Sequence, residues 1–330
     1  MSALTAVSTR AHPSAGAVVI GRNEGERLER CLASLHGLAS PVVYVDSGST
    51  DGSVAHARGL GVDVVELDLS IPFTAARARN EGFQRLLSLQ PDIDFVQFVD
   101  GDCEVVTDWI SKALDFMGGH PGCAVVCGRR RERFPERSVY NRLCDSEWDT
   151  PIGEADSCGG DALFRSSALL ASGGYRASLI AGEEPELCLR LRRAGWKVCR
   201  IDAEMTLHDA AMHRFSQWWK RSVRSGHAYG EGAWLHGRSP ERHWVKENIR
   251  ALAWAVGIPG ATVLLGLAYG HWAWLLLGLY PAQVIRLRLR SGSWVHAGLS
   301  VLSRFAETLG IWRFHATRWR GQTGNIIEYK

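Results

Sequence analysis

The sequence predicts an α/β fold, with a mostly parallel sheet flanked by helices and a separate helical C-terminal region. Three observations carry that expectation. Through the first two hundred residues, short runs rich in Val and Ile alternate with amphipathic helical patterns; such alternation builds strand–helix–strand units whose sheet is covered on both faces. The apolar runs end in polar segments that contain glycine, as strand ends facing a ligand do in such sheets. After about residue 205 the pattern changes, and tryptophans and arginines cluster from His213 to Trp244.

Taken in order, Ala17–Ile20 predicts the first strand. Leu28, Cys31, Leu32 and Leu35 then recur at helical spacing as one buried stripe. Val42–Val45 and Val62–Leu67 predict two further strands, and Phe83, Leu86 and Leu87 mark the next helix. Phe95–Val99 reads as a fourth strand. Trp109, Ile110, Ala113, Leu114 and Met117 define a helix with Thr107 as its N-cap. Ala124–Cys127 and Val198–Ile201 are the remaining strand runs. Between them, Leu187, Leu191 and Ala194 keep helical spacing behind Pro185, which suits a first helical position.

Composition narrows the function. With 46% hydrophobic and 22% charged residues, the chain is neither disordered nor a small disulfide-stapled scaffold. A net charge of +3 is too balanced for nucleic-acid binding by bulk charge. The eight cysteines contain no C-x-x-C pair and read as reduced, buried residues. The first twenty residues lack the basic and apolar segments of a secretory signal. From Ala251 to Ile285 there is no Asp, Glu, Lys or Arg. That stretch is long for one span and short for two; Gly270–His271 would tip a hairpin, and Pro259 and Pro281 would kink its arms. Arg250 before it and Arg286, Arg288 and Arg290 after it favour a hairpin or re-entrant segment with both ends cytoplasmic. A buried helical pair in a soluble domain is the alternative. The tail after Ser303 is amphipathic and tryptophan-rich, suited to a membrane surface.

The chemistry lies at the strand ends. The first strand runs into Gly21-Arg22-Asn23-Glu24, the second into Asp46-Ser47-Gly48-Ser49-Thr50-Asp51-Gly52-Ser53, and the fourth into Asp100-Gly101-Asp102. Two carboxylates separated by one glycine can converge on a hard divalent cation, whose open positions accept a diphosphate. No Gly-x-x-x-x-Gly-Lys loop and no Gly-x-Gly-x-x-Gly run is present, which excludes a Walker ATPase and an ordinary NAD enzyme.

These motifs, together with Val18-Val19-Ile20, Ala78-Arg79-Asn80-Glu81-Gly82, Gly159-Gly160-Asp161 and Gly182-Glu183-Glu184-Pro185-Glu186-Leu187, resemble glycosyltransferase family 2 over roughly residues 15 to 230. The resemblance implies a GT-A (Rossmann-like) fold and inverting transfer of a sugar from a nucleotide-diphosphate donor, with UDP-sugars favoured. It places Asp46 on the donor base with Glu24 nearby, and Arg22, Asp51 and Asn80 in the same donor-binding motifs. Arg79 would approach the diphosphate, and Gly101 would sit between the two acids. Asp102 would hold Mg²⁺ or Mn²⁺, with Asp100 on the ribose or sugar side or beside the metal. His208 is a candidate metal ligand, and Gly159, Gly160 and Asp161 line the donor-sugar and acceptor pocket. Glu184 occupies the place of the base, where relatives carry aspartate; Glu183 is the alternative. A carboxylate at a helix N-terminus is favoured in its ionised form and can take the acceptor hydroxyl proton.

Two basic groups remain open. Arg129, Arg130, Arg131, Arg133 and Arg137 form a basic run that enters the cleft or is a solvated loop, with Arg129 and Arg131 as its phosphate or acceptor candidates; Trp148 beyond them would belong to the acceptor wall. Gln217-Trp218-Trp219-Lys220-Arg221 is similar to the family's Gln-x-x-Arg-Trp element of processive members, with Lys and Arg exchanged into its last positions. Trp219, Lys220, Arg221 and Arg224 are therefore candidates for phosphate or acceptor contact, or form a basic stripe for lipid headgroups. The expected organisation is a tail over 1–15, a catalytic domain over 16–235, and a helical region over 236–330 with its apolar hairpin or membrane segment at 251–285. A lipid-linked glycan acceptor at the cytoplasmic face of the cell (inner) membrane would suit the anchor, in cell-surface polysaccharide or glycolipid synthesis. A sugar-nucleotide nucleotidyltransferase and a non-catalytic membrane scaffold are the competing readings. The first would need a glycine-rich basic loop where Gly21-Arg22-Asn23-Glu24 stands.

Overall fold

A computed structural model describes residues 14–321. Most of the expected N-terminal tail, over which a secretory signal was sought, and residues 322–330 of the amphipathic tail lie outside the described residues. The elements run β1 (Ala15–Gly21), α1 (Glu26–Leu35), β2 (Val42–Asp46), α2 (Ser53–Gly59), β3 (Asp63–Glu66), α3 (Ala75–Leu89), β4 (Phe95–Asp100), β5 (Cys103–Val105), α4 (Trp109–Gly119) and β6 (Cys123–Glu132). They continue as α5 (Val139–Glu147), β7 (Gly153–Glu154), β8 (Ala162–Arg165), α6 (Ser166–Ala171), α7 (Glu183–Arg193), β9 (Lys197–His208), α8 (Phe215–His236), α9 (Val245–Leu252), α10 (Ile258–Tyr269), α11 (Leu279–Ser291) and α12 (Trp294–Trp319). The chain divides into two compact units. One takes in the chain up to Arg133, Trp148–Ala177 and Glu184–Asp209; the other takes in Phe134–Glu147, Ser178–Glu183 and everything from Ala210.

The first unit is built on a sheet of order β3-β2-β1-β4-β8-β6-β9-β5, with β7 beside β9. Strands β3, β2, β1 and β4 are parallel, as are β6 and β9, while β8 and β5 enter antiparallel. The sheet is thus mixed, and the four-residue β8 has too short an apolar run to be read in advance. β1 carries no polar alternation because both of its faces are covered: Ala17, Val18 and Val19 are fully buried. Its register sets Gly21 beside Asp46 of β2 and Ile20 beside Asp100 of β4. The chain therefore steps to one side of β1 for β2 and to the other for β4, and such a switch point leaves a crevice at the carboxyl ends of the strands.

Helices fix that end of the sheet. α1 buries Leu28, Cys31, Leu32 and Leu35, the stripe expected from their spacing. Thr74 caps α3 by accepting from the N–H of Arg77 at 3.0 Å. On α3 a Cβ at Gly82 would lie 2.4 Å from Val18 and 2.8 Å from Val45, so only glycine lets the helix rest on β1 and β2. Some boundaries differ from expectation. α4 is entered through Asp108, not Thr107, and without a side-chain cap bond. Pro185 is the third residue of α7, where its missing N–H would in any case lack a helical partner. β6 continues through the arginine run to Glu132, because pairing with β9 satisfies that backbone as strand.

The second unit is helical, and it includes α8, which lies inside the catalytic span expected from sequence. α8 and α12 meet at glycine: a Cβ on Gly226 would stand 2.0 Å from the carbonyl oxygen of Glu307, and one on Gly310 would stand 2.0 Å from that of Val223. The tail after Ser303, expected to lie on a membrane surface, thus has a protein-facing side made of Ala306, Gly310, Ile311 and Phe314. Trp312 and Trp319 remain on its exposed side. α9 and α10 join through a wide turn at Ala253–Gly257 into one helix, Val245–Tyr269, which is long and apolar enough to cross a membrane. Only 11% of its most apolar stretch is buried, unlike the core helix of a soluble domain. Gly270 has φ +81°, and beyond it the Tyr280 hydroxyl donates to the Trp254 carbonyl with the two rings 5.7 Å apart. The apolar stretch therefore folds back on itself.

Candidate active site

The loops after β1 and β2 are tied together by short polar side chains. Asn23, in the left-handed region at φ +55°, donates its N–H to Ser49 Oγ at 2.9 Å, and its Oδ1 accepts from Thr50 N at 2.7 Å. Asp46 is 2% exposed; its carboxylate accepts from Tyr44 Oη at 2.8 Å and from the N–H groups of Gly48 and Ser49 at 2.9 and 2.8 Å. Asp51 accepts from the Ser53 hydroxyl at 2.6 Å and from the N–H of Gly25 at 3.0 Å. Burial acts to raise the Asp51 carboxyl, but the Ser53 hydroxyl and the N–H groups of Ser53 and Gly25 outweigh it and hold it below its usual value. Arg22 lies over the Phe73 ring at 4.9 Å, and Glu24 pairs with Arg27 at 2.8 Å.

Beyond β4 the acids separate into two clusters. Asp100 faces arginines: Arg79 Nη2 is 2.7 Å from its Oδ1, and Arg130 Nη2 is 3.7 Å from its Oδ2. Arg130 also reaches Asp161 Oδ2 at 2.8 Å. Asp161, fully buried, accepts from the Asp100 N–H at 3.0 Å and from the Thr206 hydroxyl at 2.9 Å. Two acids and two bases balance, which is what makes such burial tolerable. Gly160 passes over them, and a Cβ there would lie 2.7 Å from Asp100 Oδ2 and 2.9 Å from Arg79 Nη2. Gly101 similarly lies against β1, where a Cβ would meet the Ile20 carbonyl at 3.2 Å.

The second cluster is Asp102, Cys103 and His208, whose ligand atoms all lie within 4.8 Å of one another. His208 Nε2 is 3.2 Å from Asp102 Oδ2, and Glu132 stands 3.9 Å from Nδ1 on the other side of the ring. The Trp148 ring meets the His208 ring edge-on at 4.7 Å and lies 5.5 Å from the Arg130 guanidinium. His208 is the last residue of β9, paired with Cys103 of β5. A strand ladder, not a loop, brings imidazole and carboxylate together.

Glu184 is 6% exposed, near the start of α7. Its Oε1 accepts from the N–H of Cys158 at 2.7 Å, the Cys188 thiol at 2.9 Å and the Cys158 thiol at 3.2 Å. Burial pushes its carboxyl above the usual range, against the pull of the Cys158 N–H, the two thiols and the Gly159 N–H. Gly159, at φ +82°, makes the turn that presents these N–H groups. Glu183, also buried, is grouped with the second unit.

Other expected residues sit elsewhere. Asn80 exchanges two hydrogen bonds with the backbone of Tyr175, at 2.7 and 2.8 Å, and so fastens a loop. Arg129 pairs with Asp149 at 3.4 Å, and the half-exposed Arg131 pairs with Glu204 at 2.9 Å. The run's member in the acidic cluster is Arg130, on the opposite side of the strand from Arg129 and Arg131, where β6 shifts register against β9. Arg221 pairs with Glu147 inside the second unit, which also holds Trp219, Lys220 and Arg224. Arg130 belongs to the basic run read from sequence, whereas Cys103, Glu132, Thr206, Cys158 and Cys188 escape a motif reading. Only the adjacency of Cys103 to Asp102 and of Cys158 to Gly159 is a signal in the sequence.

Residues 17–166 match the model described as Glycosyl transferase family 2. Glycosyltransferase AglE of Haloferax volcanii is 24% identical over 227 residues, which are 65% of this chain and 72% of that protein. The pre-mycofactocin glycosyltransferase of Mycobacterium tuberculosis is 26% identical over 324 residues, 91% of this chain; the chain spans 62% of that relative's length. Among solved structures, the mannosyltransferase PcManGT from Pyrobaculum calidifontis, in complex with GDP-Man and Mn2+, has TM-score 0.63 at 17% identity, over 91% of this chain and 87% of its own. S. aureus TarS 1–349 has TM-score 0.51 at 13% identity, over 94% and 92%. At these identities the structural likeness is one of fold.

Proposed function

We propose that this chain, whose residues 17–166 match a family 2 glycosyltransferase domain and whose fold is that of solved GT-A glycosyltransferases, moves a sugar from a nucleoside diphosphate donor to an acceptor hydroxyl with inversion at the anomeric carbon. The observation that carries this reading is the placement of Asp46 at the end of β2 and of Asp100 and Asp102 at and just past the end of β4, on either side of β1, with Arg79, Arg130 and Asp161 around Asp100 and His208 against Asp102. The Asn23–Asp46–Asp51 loops would receive the nucleoside. The Arg79–Asp100–Arg130–Asp161 cluster forms a pre-ordered floor, and Asp100, with 29% of its side chain exposed, offers the open edge to ribose or sugar.

Asp102 and His208, with Cys103 beside them, would hold a divalent cation. A carboxylate with an imidazole fits Mn²⁺ better than Mg²⁺, which prefers oxygen alone. When bound, the ion would neutralise charge on the departing diphosphate. Glu184 would act as general base: Oε1 is occupied by three donors, so the acceptor proton goes to Oε2. Its raised proton affinity suits that task.

A membrane-held acceptor, such as a lipid-linked glycan at the cytoplasmic face, is supported by the exposed apolar helix Val245–Tyr269 and its basic flanks. The test is a screen of UDP- and GDP-sugars with Mn²⁺ and membranes, scored for released nucleoside diphosphate and for label entering lipid. Pyrophosphate as product would move the reading to a nucleotidyltransferase, and failure to bind any nucleotide would move it to a scaffold.

A further inference from the structure

We propose that Cys158, Glu184 and Cys188 form a second metal site, selective for a soft divalent ion such as Zn²⁺ or Cd²⁺ and separate from the Asp102–His208 cluster. The three ligand atoms lie within 4.8 Å of one another. The two sulfurs are 3.7 Å apart, and they stand 3.2 and 2.9 Å from Glu184 Oε1. On one tetrahedral zinc, two thiolates lie about 3.8 Å apart, and a thiolate and a carboxylate oxygen about 3.5 Å apart. The sulfur pair already has that spacing, and the sulfur–oxygen pairs need to open by about 0.3 and about 0.6 Å. Loss of the two S–H···O bonds on binding drives that opening.

The pieces are held by different elements: Cys188 is one helical turn beyond Glu184 on α7, and Cys158 precedes the turn at Gly159. Side chains four apart on a helix share a face, so α7 supplies two ligands and the turn supplies the third. The fourth position is left for water. Two thiols distinguish this set from the Asp102 cluster, since thiolates select zinc-like ions whereas carboxylate and imidazole accept manganese. Binding releases two protons to solvent and leaves two thiolates and one carboxylate on the ion. Because both thiols must give up their protons, affinity climbs with pH. Resting on the reading of Glu184 as base, an ion held here withdraws that carboxylate from sugar transfer.

The experiment titrates the full chain, reduced with a phosphine and saturated with Mn²⁺, with Cd²⁺, and follows the ultraviolet thiolate-to-cadmium absorption. One equivalent should develop the band in the parent chain, and Cys158→Ala/Cys188→Ala should abolish it. Glu184→Gln should keep the band but weaken Cd²⁺ affinity at least tenfold. If the double variant does not fold, Cys188→Ser alone should halve the band, which scales with the number of sulfur–cadmium bonds. A parent chain without a band, a band that survives loss of both cysteines, or unchanged affinity in Glu184→Gln overturns the site. Transfer measured with Zn²⁺ beside Mn²⁺ separates the two readings. Zn²⁺ also outcompetes Mn²⁺ at Asp102 and His208, so slowed transfer supports both only where Cys158→Ala/Cys188→Ala relieves it, whereas a cadmium band with undiminished transfer leaves the site standing and removes Glu184 as base.

Discussion

Glu184 receives three donors on one oxygen while desolvation raises its affinity for a proton. A base acts in its ionised form, so transfer should fall as pH drops through the Glu184 value. A profile of turnover against pH should place that acidic limb above the ordinary glutamate value of about 4.3. Cys188→Ala removes a donor that favours the carboxylate and should move the limb further up. Glu184→Gln should keep donor affinity in calorimetry and lose transfer by about a hundredfold or more. Asp102→Ala should weaken Mn²⁺ binding, read by calorimetry without substrate, by more than about a hundredfold, since even groups behind a ligand cost ten- to a hundredfold. Arg130 neutralises the fully buried Asp161. Arg130→Ala should therefore lower unfolding stability by about 3 kcal/mol or more, as removal of one partner of a buried pair does, while Arg130→Lys should recover part of it.

Elements decide whether those groups meet. α3 carries Arg79 to the site and rests on β1 and β2 through Gly82. Gly82→Ala should push the helix outward, cost about 1–3 kcal/mol in thermal unfolding, and weaken donor binding through Arg79. β6 shows the opposite dependence. Alternation sets Arg130 apart from Arg129 and Arg131, which pair with Asp149 and Glu204. Period-two reasoning cannot say which of the two sides meets the acids, because that depends on strand pairing and on register shifts that leave no mark in composition. β9 likewise extends to His208 because its partners β5 and β6 supply hydrogen bonds far along the chain. A helix such as α1 was legible by contrast, since its buried face is set by local spacing.

For the whole molecule, membrane attachment is the property most exposed to test. Removing everything after Arg250 would also remove α12 and uncover the glycine-lined face of α8, so truncation confounds anchoring with folding. Leu264 and Leu267 are 69% and 84% exposed on α10. Leu264→Lys/Leu267→Lys should therefore leave the fold intact, judged by circular dichroism, and release the chain from vesicles in a flotation assay. Retention in the lipid fraction would count against Val245–Tyr269 as the anchor.

The sequence by itself determined the α/β class, the strand ends that carry Asp46, Asp100 and Asp102, and the apolar stretch that folds back near Gly270. Each of these is written in contiguous residues, through hydrophobic spacing or uncharged length. Only the tertiary structure decided that Asp100 faces two arginines while Asp102 faces His208, that Arg130 is the basic residue among them, and that two thiols converge on Glu184. Those pairings span tens of residues and depend on sheet register and on which side of a strand a bulge leaves a side chain, quantities that arise only when the strands pair.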